Sequence, residues 1–170
     1  HTRFDNVTRV QTCALPISAD AVEKALAAAD PQHAGDYEAN LKALTATLTD
    51  VDTSYTQGLS QCERTTFITS HAAFGYLADR YHLTQAPISG IDPESEPSPA
   101  DLAAIKQVVQ STGTTTIFTE ELVSPKTAQA LASETGTTTK VLNPLESAPD
   151  SGDYASEMKS NSIIDRKSVV

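Results

Sequence analysis

The chain has 170 residues, 39% of them apolar, and carries 12 basic against 22 acidic side chains for a formal net charge of −10. That length allows one ordinary domain with its own core. No apolar run reaches the length of a membrane-spanning helix, and the acidic balance argues against a nucleic-acid binder, because nothing offsets phosphate repulsion. The two cysteines, Cys13 and Cys62, are too few for a disulfide scaffold, and with no Trp and 5% aromatics an aromatic-lined sugar or base platform is not expected.

The two ends read differently from the middle. Residues 1–18 show neither helical nor strand period and contain no apolar signal-peptide core. Val10 to Ile17 is the translation of a short-read sequencing adapter, GTT CAG ACG TGT GCT CTT CCG ATC. Asp165 to Val170 is the translation of the other adapter end, GAT CGG AAG AGC GTC GTG. Two adapter ends in the right order predict that 1–18 and 165–170 are non-biological. The genuine stretch, 19–164, is then an internal fragment of a longer protein. Each end carries a net positive charge (Arg3 and Arg9 against Asp5; Arg166 and Lys167 against Asp165), so the middle is more acidic than the whole.

Ala19 to Ala28 is rich in helix formers and stops at Asp30-Pro31. A second helix is expected over 35–59, because Tyr37, Leu41, Leu44, Leu48, Val51 and Tyr55 recur at three- and four-residue steps. After Cys62 the period changes. Thr65 to Thr69 reads as a strand, Ala73 to Tyr81 as a helix, and Ala86 to Ile91 as a second strand. Ser98-Pro99 is a helix start signal, an N-cap followed by Pro, and Gly113 is the stop. Thr114 to Phe118 is the third strand, Ser124-Pro125 starts a helix ending at Gly136, and Thr138 to Leu142 is the fourth strand. A last helix begins at Tyr154. The alternation predicts an α/β fold: a four-stranded parallel sheet with flanking helices, preceded by long helices. The expected division is 19–62 for the leading helices and 63–164 for the α/β lobe.

Ligands of an open parallel sheet gather beyond the carboxyl ends of its strands. The polar residues at those ends, taken strand by strand, are Ser70-His71, then Asp92, Glu94 and Glu96, then Glu120-Glu121, then Asn143 and Glu146. There is no Gly-rich phosphate loop and no nucleophile elbow. One imidazole among carboxylates has three readings: an acid/base pair, half of a metal site, or a solvated acidic rim. Zn²⁺ accepts both His nitrogen and Glu oxygen, and closed sites want four ligands.

The same stretches carry a resemblance. Thr69 to Leu77 (TSHAAFGYL), Leu83-Thr84-Gln85, Ile88 to Ile91 (ISGI), Glu94 to Pro99 (ESEPSP), Ile117 to Pro125 (IFTEELVSP) and Val141 to Glu146 (VLNPLE), in this order, resemble the solute-binding proteins of zinc and manganese ABC transporters. The resemblance covers essentially all of 19–164. It implies two α/β lobes joined by a rigid helix, with the metal in the cleft between them. This chain would be the end of the linking helix plus the C-terminal lobe.

Two family ligands map onto this chain, His71 and Glu146. Histidine at the first position, where manganese-type members often carry Glu, implies zinc, in keeping with the preference of imidazole for that ion. Two further family ligands are histidines of the N-terminal lobe and have no counterpart here. Nor does the family's acidic, His-rich loop. Glu120 or Glu121 could orient His71 through its other nitrogen, or form a helix-approach salt bridge. Glu94 and Glu96 are expected on the solvated rim, and His33 and His82 on the surface. Cys62 is either a buried thiol or the partner of a cysteine beyond this chain.

The resemblance implies an extracytoplasmic protein, periplasmic or a cell-surface lipoprotein. It would act as a monomer, capture Zn²⁺ for a membrane permease and perform no covalent chemistry. Two ligands on one lobe imply weak binding by this chain alone, and severed helix partners imply an exposed apolar patch. The competing functions are a small hydrolase using His71 with a carboxylate, and an adhesin-type surface protein.

Overall fold

The computed structural model describes residues 14–62, 64–92, 95–121, 124–148 and 151–169, with side chains from Pro16 to Ser162. The stretch 1–13, Glu94 and the side chains of the 165–170 tail lie outside the described residues. The chain begins with α1 (Ala14–Ala29), one 3-10 turn at Pro31–His33 where Asp30-Pro31 was expected to break the helix, and the long α2 (Ala34–Leu59). After these come β1 (Thr66–Thr69), α3 (Gly75–Arg80), β2 (Thr84–Pro87), α4 (Pro99–Thr112), β3 (Thr116–Thr119), α5 (Lys126–Thr135), β4 (Thr138–Val141) and α6 (Tyr154–Val169). The four strands form one parallel sheet in the order β2-β1-β3-β4.

Side chains alternate across the sheet and so build two cores. Phe67 of β1 and Phe118 of β3 face Val51 and Tyr55 of α2, Leu77 of α3 and Met158 of α6. Their neighbours Ile68 and Ile117 point the other way, against Ile105 and Val109 of α4 and Leu131 of α5. The sheet is thus covered on both faces, which parallel sheets require. Helix α2 buries Leu48, Val51 and Tyr55, three members of the stripe read from the sequence. Farther up, α2 packs on α1, and there Leu44, with Ile17, Val22 and Leu26 of α1, remains exposed. No described helix is long and apolar enough to cross a membrane.

Several element boundaries differ from the expected ones: α1 starts at Ala14 rather than Ala19, β3 runs Thr116–Thr119 rather than 114–118, and the other differences have local reasons. The second strand runs Thr84–Pro87, earlier than 86–91. It is an edge strand bonded only to β1, so polar Thr84 and Gln85 fit it and Pro87 loses nothing by lacking an N–H. Its ladder nonetheless continues past Pro87, with the amides of Ile88 and Ser89 donating to Thr69 and Ser70 carbonyls at 2.9 Å each. Helix α3 starts at Gly75 rather than Ala73, because the preceding donors are spent outside a helix: Ala72 N–H goes to the Gly90 carbonyl and Phe74 N–H to the Gln85 side chain. Helix α4 does begin on a capping box, Ser98 Oγ accepting from Asp101 N–H and Asp101 accepting from Ser98 N–H. Ser124 does not repeat this: Pro125 occupies the N-cap of α5, without a side-chain cap. Gly113 and Gly136 close α4 and α5 in the left-handed conformation, φ 65° and 72°, which glycine adopts without steric cost.

Candidate metal centre

The loop after β1 is held by a dense set of bonds. Gln85 of β2 donates through Nε2 to Thr69 Oγ1 at 2.7 Å and to the His71 carbonyl at 2.9 Å, while its Oε1 accepts the Phe74 N–H. Thr69 Oγ1 passes its own proton to the His71 carbonyl at 2.7 Å. Ser70 donates both N–H and hydroxyl to the Phe118 carbonyl. His71 is therefore fixed in main chain and side chain alike, and its ring is 3% exposed.

The ring's partner is Glu120, at the end of β3. Nδ1 lies 2.6 Å from the Glu120 carboxylate, and Oε1 of the same group accepts the His71 backbone N–H at 3.3 Å. Glu120 is as buried as the ring. Burial pushes its carboxyl pKa up; the charge and hydrogen bonds of His71 pull it back, and the nearby Glu146 charge adds to the rise. An acceptor on Nδ1 fixes the proton there and leaves the Nε2 lone pair directed outward.

Glu146 faces that lone pair. Its Oε1 is 3.7 Å from His71 Nε2, and its side chain is 40% exposed. At that separation no hydrogen bond forms. A tetrahedral Zn²⁺ with bonds of about 2.0–2.2 Å separates two of its ligands by about 3.4 Å, so the pair needs to close only slightly around such an ion. Among the described residues no group of three or more His, Cys, Asp or Glu side chains is arranged to hold a metal by itself.

Of the sequence-predicted residues, His71, Glu120 and Glu146 come together. Glu121 turns away and accepts instead from Asn143 Nδ2 at 2.9 Å. Glu96 is exposed. His33 is exposed and bonded to Asp30 at 2.7 Å, and His82 is exposed in a turn at φ 57°. Cys62 is half-buried, with Sγ 3.9 Å from the Gly58 carbonyl. Sequence reasoning missed the roles of Gln85 and Asn143, although both fall inside the quoted motifs, and missed Asn161 altogether.

Comparisons with known proteins converge on one family. Residues 14–163 match the family model described as zinc-uptake complex component A, periplasmic. The high-affinity zinc uptake system protein ZnuA of Bacillus subtilis (strain 168) is 45% identical over 117 residues, covering 69% of this chain and 37% of the relative. The zinc-binding lipoprotein AdcA of Streptococcus pneumoniae (strain ATCC BAA-255 / R6) is 40% identical over 136 residues, 80% of this chain and 27% of the relative. Among solved structures, the laminin-binding protein Lbp of Streptococcus pyogenes superposes with TM-score 0.81 at 39% identity, over 88% of this chain and 59% of that one. A Zn(II)-bound variant of Streptococcus pneumoniae AdcAII gives TM-score 0.82 at 33% identity, over 94% and 59%. The chain thus spans only part of the length of the proteins it matches. With the family model matched over residues 14–163 and zinc-uptake and zinc-binding relatives at 45% and 40% identity, the chain belongs to the zinc-uptake complex component A family.

Proposed function

We propose that this chain is the zinc-holding lobe of an extracytoplasmic binding component of a metal-uptake ABC transporter, which captures Zn²⁺ and hands it to a membrane permease. His71 Nε2 and Glu146 are the two ligands it contributes, and Glu120 orients and polarises the imidazole. The observation that carries this is the His71–Glu146 pair: a lone pair and a carboxylate oxygen face each other across 3.7 Å. Two electron-rich atoms so placed repel unless a cation or proton lies between them. The zinc-uptake and zinc-binding relatives support zinc as that cation. Imidazole with carboxylate suits zinc better than an all-oxygen site would.

The hydrolase reading finds less support. Ser70, the hydroxyl next to His71 in sequence, gives its proton to the Phe118 carbonyl at 3.3 Å, and Nε2 faces a carboxylate rather than a nucleophile. With two protein ligands the ion keeps water in its remaining positions, so the chain alone binds zinc weakly and one to one. Titration with Zn²⁺ against a competing chromophoric chelator tests this. His71→Ala is expected to weaken binding by at least tenfold, and to lower the melting temperature as well, because it removes a buried ring and leaves Glu120 without its partner. Undiminished binding by that variant overturns the assignment, and tight binding by the chain itself overturns the two-ligand account.

A further inference from the structure

Leu145, directly before Glu146, has φ 58° and is buried in the core beside Leu142 and Met158. A bulky residue in the left-handed region is uncommon, and it persists only where its surroundings over-determine it. Here they do. The Leu145 N–H donates to Asn143 Oδ1 at 2.8 Å. Asn143 in turn is gripped at its main chain by Asn161 of α6: its N–H donates to Asn161 Oδ1 at 3.1 Å, and its carbonyl accepts from Asn161 Nδ2 at 2.7 Å. Asn161 is 3% exposed, far more buried than an asparagine usually is. The pair is reciprocal, one side-chain amide closing on one backbone unit as a neighbouring strand would. Among the described residues no strand lies beyond β4, the sheet edge, on this side of the loop.

We infer that Asn161 is a positioning residue for the metal site: by clamping Asn143 it forces the turn at Leu145 and so aims Glu146 at His71. The inference rests on the proposal that Glu146 is a ligand. Asn161 acts through two linked hydrogen-bonded steps. Asn143 Nδ2 also bonds Glu121, which follows Glu120 in sequence. Helix α6 thereby becomes part of the site's scaffold, and an amide on it sets how far the two ligands stand apart.

The test is a Zn²⁺ titration of this chain followed through the His71 ring signals by NMR, which respond even to weak binding. Four proteins are compared: wild type, Glu146→Gln, Asn161→Ala and the double variant. Loss of an outer partner of a ligand typically weakens metal binding by about 10–100-fold. Asn161→Ala is expected to fall in that range, and Glu146→Gln at least as far. In the Glu146→Gln background Asn161→Ala should then add nothing, which a merely structural role would not produce. Asn161→Asp, which keeps the acceptor for the Asn143 N–H, is run alongside with a thermal melt. It should show a smaller loss, and it decides the matter if the alanine variant does not fold. If Glu146→Gln binds like wild type, the ligand assignment fails and the inference with it. If Glu146→Gln weakens binding but neither Asn161 variant does, the ligand stands and the inference is overturned. An equal Asn161 effect with and without Glu146 also overturns it, because Asn161 would then act elsewhere.

Discussion

Glu120 meets His71 at Nδ1, and it does so from a place where a carboxylate is expensive to keep ionised. Its pKa is raised chiefly by burial, so the folded chain tolerates the charge rather than gaining from it. Glu120→Gln keeps an acceptor for Nδ1 but removes the negative charge that, on the proposed assignment, makes the imidazole a stronger donor to metal. Zinc affinity should fall by about 10–100-fold, while the melting temperature at pH 7 stays level or rises. Titration and a thermal melt check both, and a variant with wild-type affinity would remove Glu120 from the site. The motifs around His71 and Glu146 pointed to one place, and the structure puts the two side chains 3.7 Å apart. The choice between Glu120 and Glu121 was not legible in the sequence, because adjacent residues leaving a strand point to opposite sides; one enters the site and the other meets Asn143. Asn161 was illegible for a different reason. It lies 18 residues from its partner, across a loop and onto a helix where an asparagine is ordinarily read as surface.

Helix starts show how far local signals carry. Ser98 and Asp101 bond each other's main chain as the Ser-Pro signal implied, and the Asp101 carboxyl is held below the usual range by the Ser98 hydroxyl and N–H. A lowered folded pKa means a contribution that is complete above the ordinary aspartate value of about 3.9 and fades as pH drops through the folded value. Ser98→Ala should cost about 1 kcal/mol at neutral pH. The gap between variant and wild type should narrow below pH about 4; urea unfolding at pH 7 and at pH 3 would show it, and a gap that widens in acid would contradict the cap. The identical dipeptide Ser124-Pro125 makes no such cap, so the signal marks the neighbourhood of a start and not its residue. Strand β2 teaches the same lesson. Apolar content pointed to Ile88 and Ile91, but an edge position admits polar residues and Pro, and the pairing with β1 begins at Thr84.

The architecture as a whole was the most legible level, because strand–helix alternation leaves a parallel sheet with two covered faces as the simplest solution. The strand order came only from the structure; nothing in four-residue strands announces which pairs with which. That order places His71 and Glu146 on supports of unequal stiffness. His71 leaves β1, which is paired on both sides and carries Phe67 and Ile68 at 0% exposure. Glu146 leaves β4, paired on one side only, with Val141 half-open to solvent. Edge strands fray before central ones. In amide exchange, Leu142, bonded to Thr119, should therefore lose its proton ahead of Ser70, bonded to Phe118; the reverse order would refute the unequal supports. If His71 and Glu146 hold the ion as proposed, its release has a direction: the carboxylate jaw swings off first, and the imidazole, anchored in the middle of the sheet, is the last hand on the metal as it leaves.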